Sequence, residues 1–502
     1  MSLRSFTLDD LVRRNATTYG ARAAFLFDDR TVTHAEYASR VARLAAGLAR
    51  AGVGAGDRVL VLAPNSLEFC DLFGAAARLG AILVPVNARL SPAEIAHVVT
   101  DVAPRAAVVA PAMRAQLADA ALGDARRFAL GEAGDGWEAF ATLYETGSHE
   151  APSPVGDDAG LLIVHTAAVG GLPRGALLTH RGLLAGSVQC AGLWGLTADD
   201  VHVGVLPMFH VAGIGLMLAV QHAGGATRVV PRFDPDALAA DVDRHRGSVL
   251  GSFPPMLGQL LDAAGRTGAT LASLRVVTGI EVPDTILRFQ AACPGAAFWV
   301  GYGQTETSGM VSLAPFADRP GSAGRPLPLC AVAIVDDEDR ALPPGGSGEI
   351  VVRGPMVFDG YWKLAADNAA TFRAGWHHTG DLGRLDGDGF LWYQGRSPAK
   401  ELIKPGGENV YPAEVERTLR EHPAIAEAVV FGVPDAQWGE AVEAVCLAHP
   451  GAHPDAAEVI EFVGARIARY KRPRRVHFVA ELPRTANGTV DRAAVKKAHG
   501  AL

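Results

Sequence analysis

Continuous apolar runs of strand length alternate with longer stretches of helical spacing across most of the first 330 residues. "RVLVLAPNS" (58–66) is followed by "LEFCDLFGAAARLGA" and then by "ILVPVN", which reads as strand, helix, strand. "RAAVVA", "GLLIVHT", "VHVGVLPMF", "GATRVVP" and "GSVLGSFPP" are further short strand candidates, with helical stretches between several of them. Strands that are apolar throughout belong to sheets covered on both faces, so the pattern predicts parallel βαβ units with flanking helices. Ligands of such sheets gather beyond the carboxyl ends of the strands. "GLLIVHT" runs straight into "AAVGGLPRGALLTH", which puts a glycine-rich loop at such an end.

From about residue 330 the texture changes. "AVAIVDDEDRALPPGGSGEIVVRGPMVFDGYW" is short strands punctuated by Asp, Gly and Pro, which predicts a β-rich subdomain over about 330–397. After "GRSPAKELIKPGGENVYP" (395–412) comes a compact α+β pattern. It holds a helix in "AEVERTLREH", strands "EAVVFGV" and "EAVCLAH", and a helix in "DAAEVIEFVGARIARY". A Ser-Pro-Ala stretch at the junction suits a hinge. The expected organisation is a large α/β domain over 1–397 and a small α+β domain over 398–502, in a chain of 502 residues that is too long for one ordinary core.

Composition narrows the function. Hydrophobic content of 49% with 20% charged residues is that of a globular protein. A formal net charge of −8 argues against nucleic acid as a partner, because a phosphate backbone demands a basic face. The five cysteines, Cys70, Cys190, Cys293, Cys330 and Cys446, have no CxxC spacing and suggest a reducing compartment. "MSLRSFTLDD" lacks the apolar core of a signal peptide, and no run reaches the ~18 apolar residues of a membrane span. A cytoplasmic protein without a membrane span is expected.

The loop "HTAAVGGLPRGALLTH" (165–180) carries Gly170, Gly171 and Gly175, a bare backbone whose amides can approach an anion, with Arg174 among them. Four further segments follow it: "LPMFH" (206–210), "GYGQTET" (301–307), "HTGDLG" (378–383) and "ELIKPGGENVYPAEVE" (401–416). In this order and spacing the set resembles the adenylate-forming superfamily, which includes acyl-CoA synthetases, luciferases and peptide-synthetase adenylation domains. The resemblance covers nearly the whole chain. It implies that a carboxylic acid attacks the α-phosphorus of ATP, pyrophosphate leaves, and the acyl-adenylate then meets the thiol of coenzyme A. Charge develops on phosphate oxygens, so cations, Mg²⁺ and amides must be aimed there.

By the same resemblance, Glu306 would bind Mg²⁺, Thr305 would contact the α-phosphate and Tyr302 would stack on adenine. Asp381 would accept from the ribose hydroxyls, with Arg396 beside it. Thr166, the loop residues Gly170, Gly171, Arg174 and Gly175, and Gly303 complete the ATP-binding set. "VTGIEVPDTI" (277–286) takes the place of the adenine wall, where Gly279 fits and Glu281 is an unusual occupant. His210 resembles the gate of the acyl pocket, which Gly213 and Gly303 would also line. Lys400 matches the hinge, and Lys404 matches a lysine that serves the second half-reaction in luciferase relatives. Gly406 and Gly407 would pass close to a pantetheine arm, and Lys471 in "RYKRPRR" (469–475) would meet the phosphates of coenzyme A.

The chain departs from the pattern twice. Ala167, Ala168 and Val169 replace the loop hydroxyls, and Arg174 the loop lysine. "PRTANGTVDR" (483–492) puts Thr489 where the family has a lysine bridging the carboxylate and the α-phosphate. Loss of one such stabiliser typically costs ~3–4 kcal/mol. Slower adenylation with a retained thiol step is therefore expected, since Arg492, Lys496 and Lys497 stand further along, on a probable terminal helix where a solvated position is expected. The acyl walls "HVAGIGLMLAVQHAGG" (210–225), "FPPML" (253–257) and "YGQTETSGMV" (302–311) are apolar and small, which favours a fatty or aromatic monocarboxylic acid. Delivery to an acyl carrier protein, and a catalytically degenerate nucleotide or acyl-CoA binder, stand as alternatives.

Overall fold

The computed structural model describes residues 5–117, 122–134, 136–145, 147–148, 153–166, 173–396, 402–435, 437–485 and 490–500. Among them the chain builds four sheets, of nine, eight, five and three strands. In the eight-stranded sheet, Gly160–Thr166, Ile82–Pro85, Arg58–Leu62, Ala106–Val109 and Arg126–Ala129 run parallel as neighbours in that order. In the nine-stranded sheet, Ala226–Val229, Val201–Gly204, Val249–Ser252, Val276–Gly279 and Ala297–Gln304 do the same. Each apolar run predicted as a strand lies in one of these sheets.

Helices fill the space between the two sheets. Leu67–Leu79 is the most deeply buried, every residue but Glu68 being inaccessible, as its nearly unbroken apolar sequence requires. Ser66 caps its start by accepting from the Phe69 amide at 3.2 Å, and Gly80 ends it in the left-handed region at φ 69°. Its Phe69 and Phe73 share one core with Val59 and Leu83 of the eight-stranded sheet and with Ile214 and Met217 of helix Val211–His222. That helix starts at the carboxyl end of strand Val201–Gly204, so packing fixes the height of its first turn over the nine-stranded sheet.

The structure adds two features to the sequence pattern and shortens one predicted helix. Beyond the glycine loop the chain forms the strand Arg174–Thr179, which returns antiparallel on Gly160–Thr166 and sets Thr166 opposite Arg174. The helix expected through Tyr470 stops at Gly464, a weak helix former, and Arg469–Lys471 forms a separate tight turn. The β-rich part is a five-stranded antiparallel sheet whose strands Gly348–Arg353, Trp376–Leu385 and Leu391–Arg396 are its main members. The small domain is as predicted: Ile425–Asp435, Gly439–Ala448 and Arg475–Val479 form a sheet covered by Pro412–Arg420 and Ala456–Gly464. The expected boundary near 398 and the hinge Lys400 lie outside the described residues. All five cysteines are unpaired, and no helix among the described residues is long and apolar enough to cross a membrane.

One buried ion pair ties the inner helices together. Asp71 accepts from Arg40 Nε at 3.2 Å and Nη2 at 2.5 Å, and from the Tyr144 hydroxyl at 2.5 Å. Removing one partner of such a pair leaves an uncompensated charge in the core. Arg40→Met is expected to lower stability in urea unfolding by about 3–5 kcal/mol, and a further Asp71→Leu to recover most of the loss. Equal destabilisation by the single and double variants would contradict this.

Candidate active site

A cavity of about 1250 Å³ opens where the carboxyl end of the nine-stranded sheet, the strand pair at Thr166 and Arg174, the five-stranded sheet and the small domain meet. Of the residues singled out in the sequence, Thr166, Arg174, His210, Gly279, Tyr302, Gly303, Thr305, Glu306, Asp381, Arg396, Lys404, Gly406 and Gly407 all line it.

Asp381 is its best-buried carboxylate, 2% exposed. Its Oδ2 accepts from the Tyr302 hydroxyl at 2.6 Å and from Gln304 Nε2 at 2.5 Å, both at the end of strand Ala297–Gln304. Arg396 stands opposite Asp381 in the antiparallel ladder and brings Nε to 2.6 Å from Oδ1. This is an ion pair by distance whose direction is not that of a hydrogen bond, so Oδ1 is buried without a donor among the described residues. A buried acceptor in that state is open to a donor supplied from outside the described residues. The Tyr302 ring lies in the core of the five-stranded sheet and stacks on Tyr393 at 6.0 Å, which leaves the hydroxyl end committed to Asp381. Gly279 belongs to the same wall: a Cβ there would stand 1.9 Å from the Ser252 carbonyl, so only glycine allows the strands to close. Glu281, by contrast, turns back to its own chain. Its Oε1 accepts from the Val282 amide at 3.0 Å, and burial pushes its carboxyl up.

The phosphate side is built around Glu306. Its Oε1 accepts from the Tyr361 hydroxyl at 2.9 Å and from the Thr166 hydroxyl at 3.3 Å. Its Oε2 accepts from none of the described residues, and no cluster of three or more potential metal ligands exists among them. Magnesium is commonly held by one or two carboxylates together with substrate phosphates, and a lone carboxylate with one oxygen open fits that mode. Arg174 is engaged: it lies over the Tyr361 ring at 3.9 Å, donates to the Tyr361 hydroxyl at 3.1 Å and pairs with Asp367 at 2.5 Å. Gly175 backs onto Ile163 within the strand pair and does not line the cavity. Gly170 and Gly171 lie outside the described residues.

One end of the cavity, expected from the sequence to take the acyl group, is walled by Cys190, Trp194, Leu216, Phe253, Met256 and Met310 near helices His180–Leu193 and Val211–His222. His210 stands at the first turn of Val211–His222 and faces this space. Gly213 corrects the sequence expectation. A Cβ there would strike the Pro207 carbonyl at 2.5 Å and the Leu206 carbonyl at 2.8 Å, so this glycine serves helix packing and is absent from the cavity lining.

The small domain closes the cavity from the other side. Lys404 lies over the Tyr393 ring at 5.5 Å, and burial pushes its ammonium pKa down against the pull of Asp381. Gly406 packs on Trp438 and Gly407 on the Phe253 ring, both with positive φ. Next to them Glu408 reaches into the large domain. Its Oε1 lies 2.7 Å from Arg89 Nη1 and 3.5 Å from His210 Nε2, and its Oε2 accepts from Asn87 at 3.2 Å. Burial alone would raise this carboxyl, but His210 and Arg89 outweigh it and hold it at about 2. Arg396 also donates to the Tyr411 hydroxyl at 2.7 Å, which joins the nucleotide side to the small domain.

Lys471 is a second correction. Its ammonium is 1% exposed, 2.5 Å from Glu94 of the large domain and 2.8 Å from Glu414 of its own, so it is not presented to a ligand phosphate. Arg492 and Lys496 border the cavity from helix Arg492–His499, and Lys496 and Lys497 are exposed, as expected. Lys400 and Thr489 lie outside the described residues. Arg89, Tyr361, Glu408 and Tyr411 were not singled out from the sequence. The quoted run "GGENVYP" contained Glu408 and Tyr411, whereas Arg89 and Tyr361 carry no local signal because their partners are hundreds or tens of residues away.

Residues 12–362 match the model of the AMP-binding enzyme family, and residues 414–489 that of the AMP-binding enzyme C-terminal domain. The chain is 38% identical to an indoleacetate–CoA ligase of Aromatoleum aromaticum, over 98% of each chain. It is 35% identical to a feruloyl-CoA synthase of an Amycolatopsis species, over 93% of this chain and 94% of that one. The o-succinylbenzoate CoA synthetase of Bacillus subtilis is 28% identical. Bound to its product analogue OSB-NCoA, as a double mutant, it superposes with a TM-score of 0.85 over 97% of each chain. Its complex with the acyl-adenylate OSB-AMP, at the same 28% identity, gives 0.70 over 98% of this chain and 99% of that one.

The depressed Glu408 carboxyl has a defined pH signature. A carboxylate held at about 2, below its ordinary 4.5, contributes fully above 4.5 and loses its contribution as pH falls toward 2. Thermal unfolding followed from pH 4.5 down to 2 is expected to fall more steeply in the native protein than in Glu408→Gln. Parallel curves would show that Glu408 is not held by His210 and Arg89.

Proposed function

The chain belongs to the AMP-binding enzyme family and is an acid–thiol ligase that joins a carboxylic acid to coenzyme A through an adenylate at the expense of ATP; from this we propose that its acid is an aromatic monocarboxylate with a short side chain. The observation that carries the substrate reading is where the cavity's cations lie. The lysines and arginines that line it among the described residues are Arg89, Arg174, Arg396, Lys404, Arg492 and Lys496. In this reading all belong to the nucleotide side or to the approach from the small domain, and the acyl end is left to uncharged side chains such as Trp194, Phe253, Leu216, Met256 and Ser187. A second carboxylate buried there would go unpaired, which costs several kcal/mol. The identity with ligases for indoleacetate and ferulate supports an aryl group over a simple chain.

In this reading Asp381 takes the ribose hydroxyls on its open oxygen, and Arg396 holds that carboxylate in place. The wall at Gly279 and Gly303 receives the adenine, with the Tyr302 ring behind it. Glu306 and the triphosphate would hold magnesium, which supplies charge neutralisation at the phosphates. Thr305 and the backbone beside it contact the α-phosphate, and Arg174 turns from Asp367 to the departing phosphates. His210 sits at the entrance of the acyl end, where its bond to Glu408 keeps the ring turned aside while the thiol enters. Lys404, lodged beside Tyr393 and Asp381, serves the second step by meeting the adenylate as the thiol arrives. The likeness to the CoA-analogue complex over the adenylate complex supports this assignment, and with it a hinge near Lys400 that lets the small domain take another orientation for the first step. A carrier-protein thiol is the competing acceptor, supported by 33% identity to a fatty acid–[acyl-carrier-protein] ligase of Streptomyces coeruleorubidus.

Release of AMP from a panel of acids tests the proposal. Indole-3-acetate and ferulate are expected to support CoA-dependent turnover with kcat/KM about ten-fold or more above a dicarboxylate such as succinylbenzoate. Preference for the dicarboxylate, or turnover with a loaded carrier protein and none with free CoA, overturns it. Lys404→Ala is expected to slow single-turnover transfer from adenylate to CoA by roughly 10²–10³ while leaving pyrophosphate exchange near native. The same exchange rate reports whether Thr489 slows adenylation.

A further inference from the structure

The ion pairs of Lys471 and the bonds around the phosphate-side strands share one helix, Pro92–Val102. At its start Ser91 and Glu94 form a capping box, each bonding the other's amide. The same two side chains hold the small domain. Glu94 Oε1 pairs with Lys471 at 2.5 Å, its Oε2 accepts from the Ala468 amide at 3.0 Å, and the Ser91 hydroxyl donates to the Arg466 carbonyl at 3.2 Å. Further along, His97 Nε2 donates to the Pro173 carbonyl at 3.0 Å, and Asp101 Oδ2 accepts from His165 Nε2 at 2.9 Å.

Glu94, His97 and Asp101 follow each other at spacings of three and four residues, which places them on one face of the helix within about 10 Å of axis. His165 and Pro173 are the neighbours of Thr166 and Arg174, the residues that reach Glu306 and Tyr361. A rigid element therefore touches the docked domain at one end and the phosphate-side strands at the other. Both contacts are largely buried, so neither rearranges without the other feeling it. In the docked orientation the two terminal nitrogens of Arg174 are held by Asp367 and Tyr361.

We infer that helix Pro92–Val102 couples docking of the small domain at Lys471 to the state of Thr166 and Arg174, so that undocking releases Arg174 for the phosphates of ATP. Ser91, Glu94, His97 and Asp101 are positioning residues in this account and touch no substrate. The inference rests on the ATP-dependent ligase reading above and adds to it a route by which the domain orientation that suits the thiol step disfavours nucleotide.

Calorimetric titration with MgATP of the full chain and of Glu94→Gln, Asp101→Ala and the double variant tests it, with single-turnover transfer from adenylate to CoA measured in parallel. Glu94→Gln is expected to bind ATP about five-fold or more tightly than the native protein while slowing the transfer step. In the Asp101→Ala background the same change should move the ATP dissociation constant less than about two-fold, because the strut is cut. Ser91→Ala, a gentler weakening of the same contact, should shift ATP affinity in the same direction if Glu94→Gln does not fold. Unchanged or weaker ATP binding in the folded variant, or an equal shift with and without Asp101, overturns the coupling. A native protein that binds no ATP overturns the ligase reading itself, and the coupling with it.

Discussion

The site is organised by one electrostatic constraint: a carboxylate, Asp381, buried where three parts of the molecule meet. A charge so placed needs partners, and two of these parts supply them directly while the third holds one of the partners. The nine-stranded sheet gives the Tyr302 hydroxyl and the Gln304 amide, and the five-stranded sheet gives Arg396 across the ladder. Arg396 in turn reaches Tyr411 of the small domain. The geometry satisfies one oxygen of Asp381 and leaves the other without a donor among the described residues, open to one from outside them.

The contact between the domains follows the same physics. Glu408, Glu94 and Glu414 are buried there, and each is matched by a cation from across the interface or within it: Arg89 and His210 for the first, Lys471 for the other two. Buried ion pairs add little net stability compared with apolar packing, because desolvation offsets their attraction. They do impose a single geometry, since a displaced carboxylate loses its partner. The reorientation proposed for the small domain is better served by such pairs than by a large apolar face.

The apolar runs of the first domain are strands and the turn at Gly406 and Gly407 borders the cavity because both depend on neighbours in sequence: side-chain periodicity and backbone freedom. The motif "GYGQTET" closes the strand Ala297–Gln304 and "HTGDLG" lies within the strand Trp376–Leu385, and both reach one cavity. Long-range partners are a different matter. Lys471 reads as a solvent-facing cation within a basic run, yet Glu94, 377 residues away, takes it into the interior. Gly213 reads as a pocket glycine and is instead a packing contact with the Leu206 and Pro207 carbonyls. The strand Arg174–Thr179 is apolar enough for either a helix or a strand, and its pairing with Gly160–Thr166 decides between them. Arg492 and Lys496 border the cavity only because the terminal helix packs on the strand Ile425–Asp435, as Arg492 shows by donating to the Val430 carbonyl at 2.9 Å.

The open oxygen of Asp381 is the most exposed point of the account, and the affinity of the protein for AMP against its 2′,3′-dideoxy analogue probes it directly. If the ribose hydroxyls bond this carboxylate, removing them should weaken binding to the native protein by roughly 10–10² and change it little in Asp381→Ala, since hydrogen bonds to a charged group contribute about 1.5–3 kcal/mol. Equal affinity of the native protein for the two nucleotides would contradict the account at its centre.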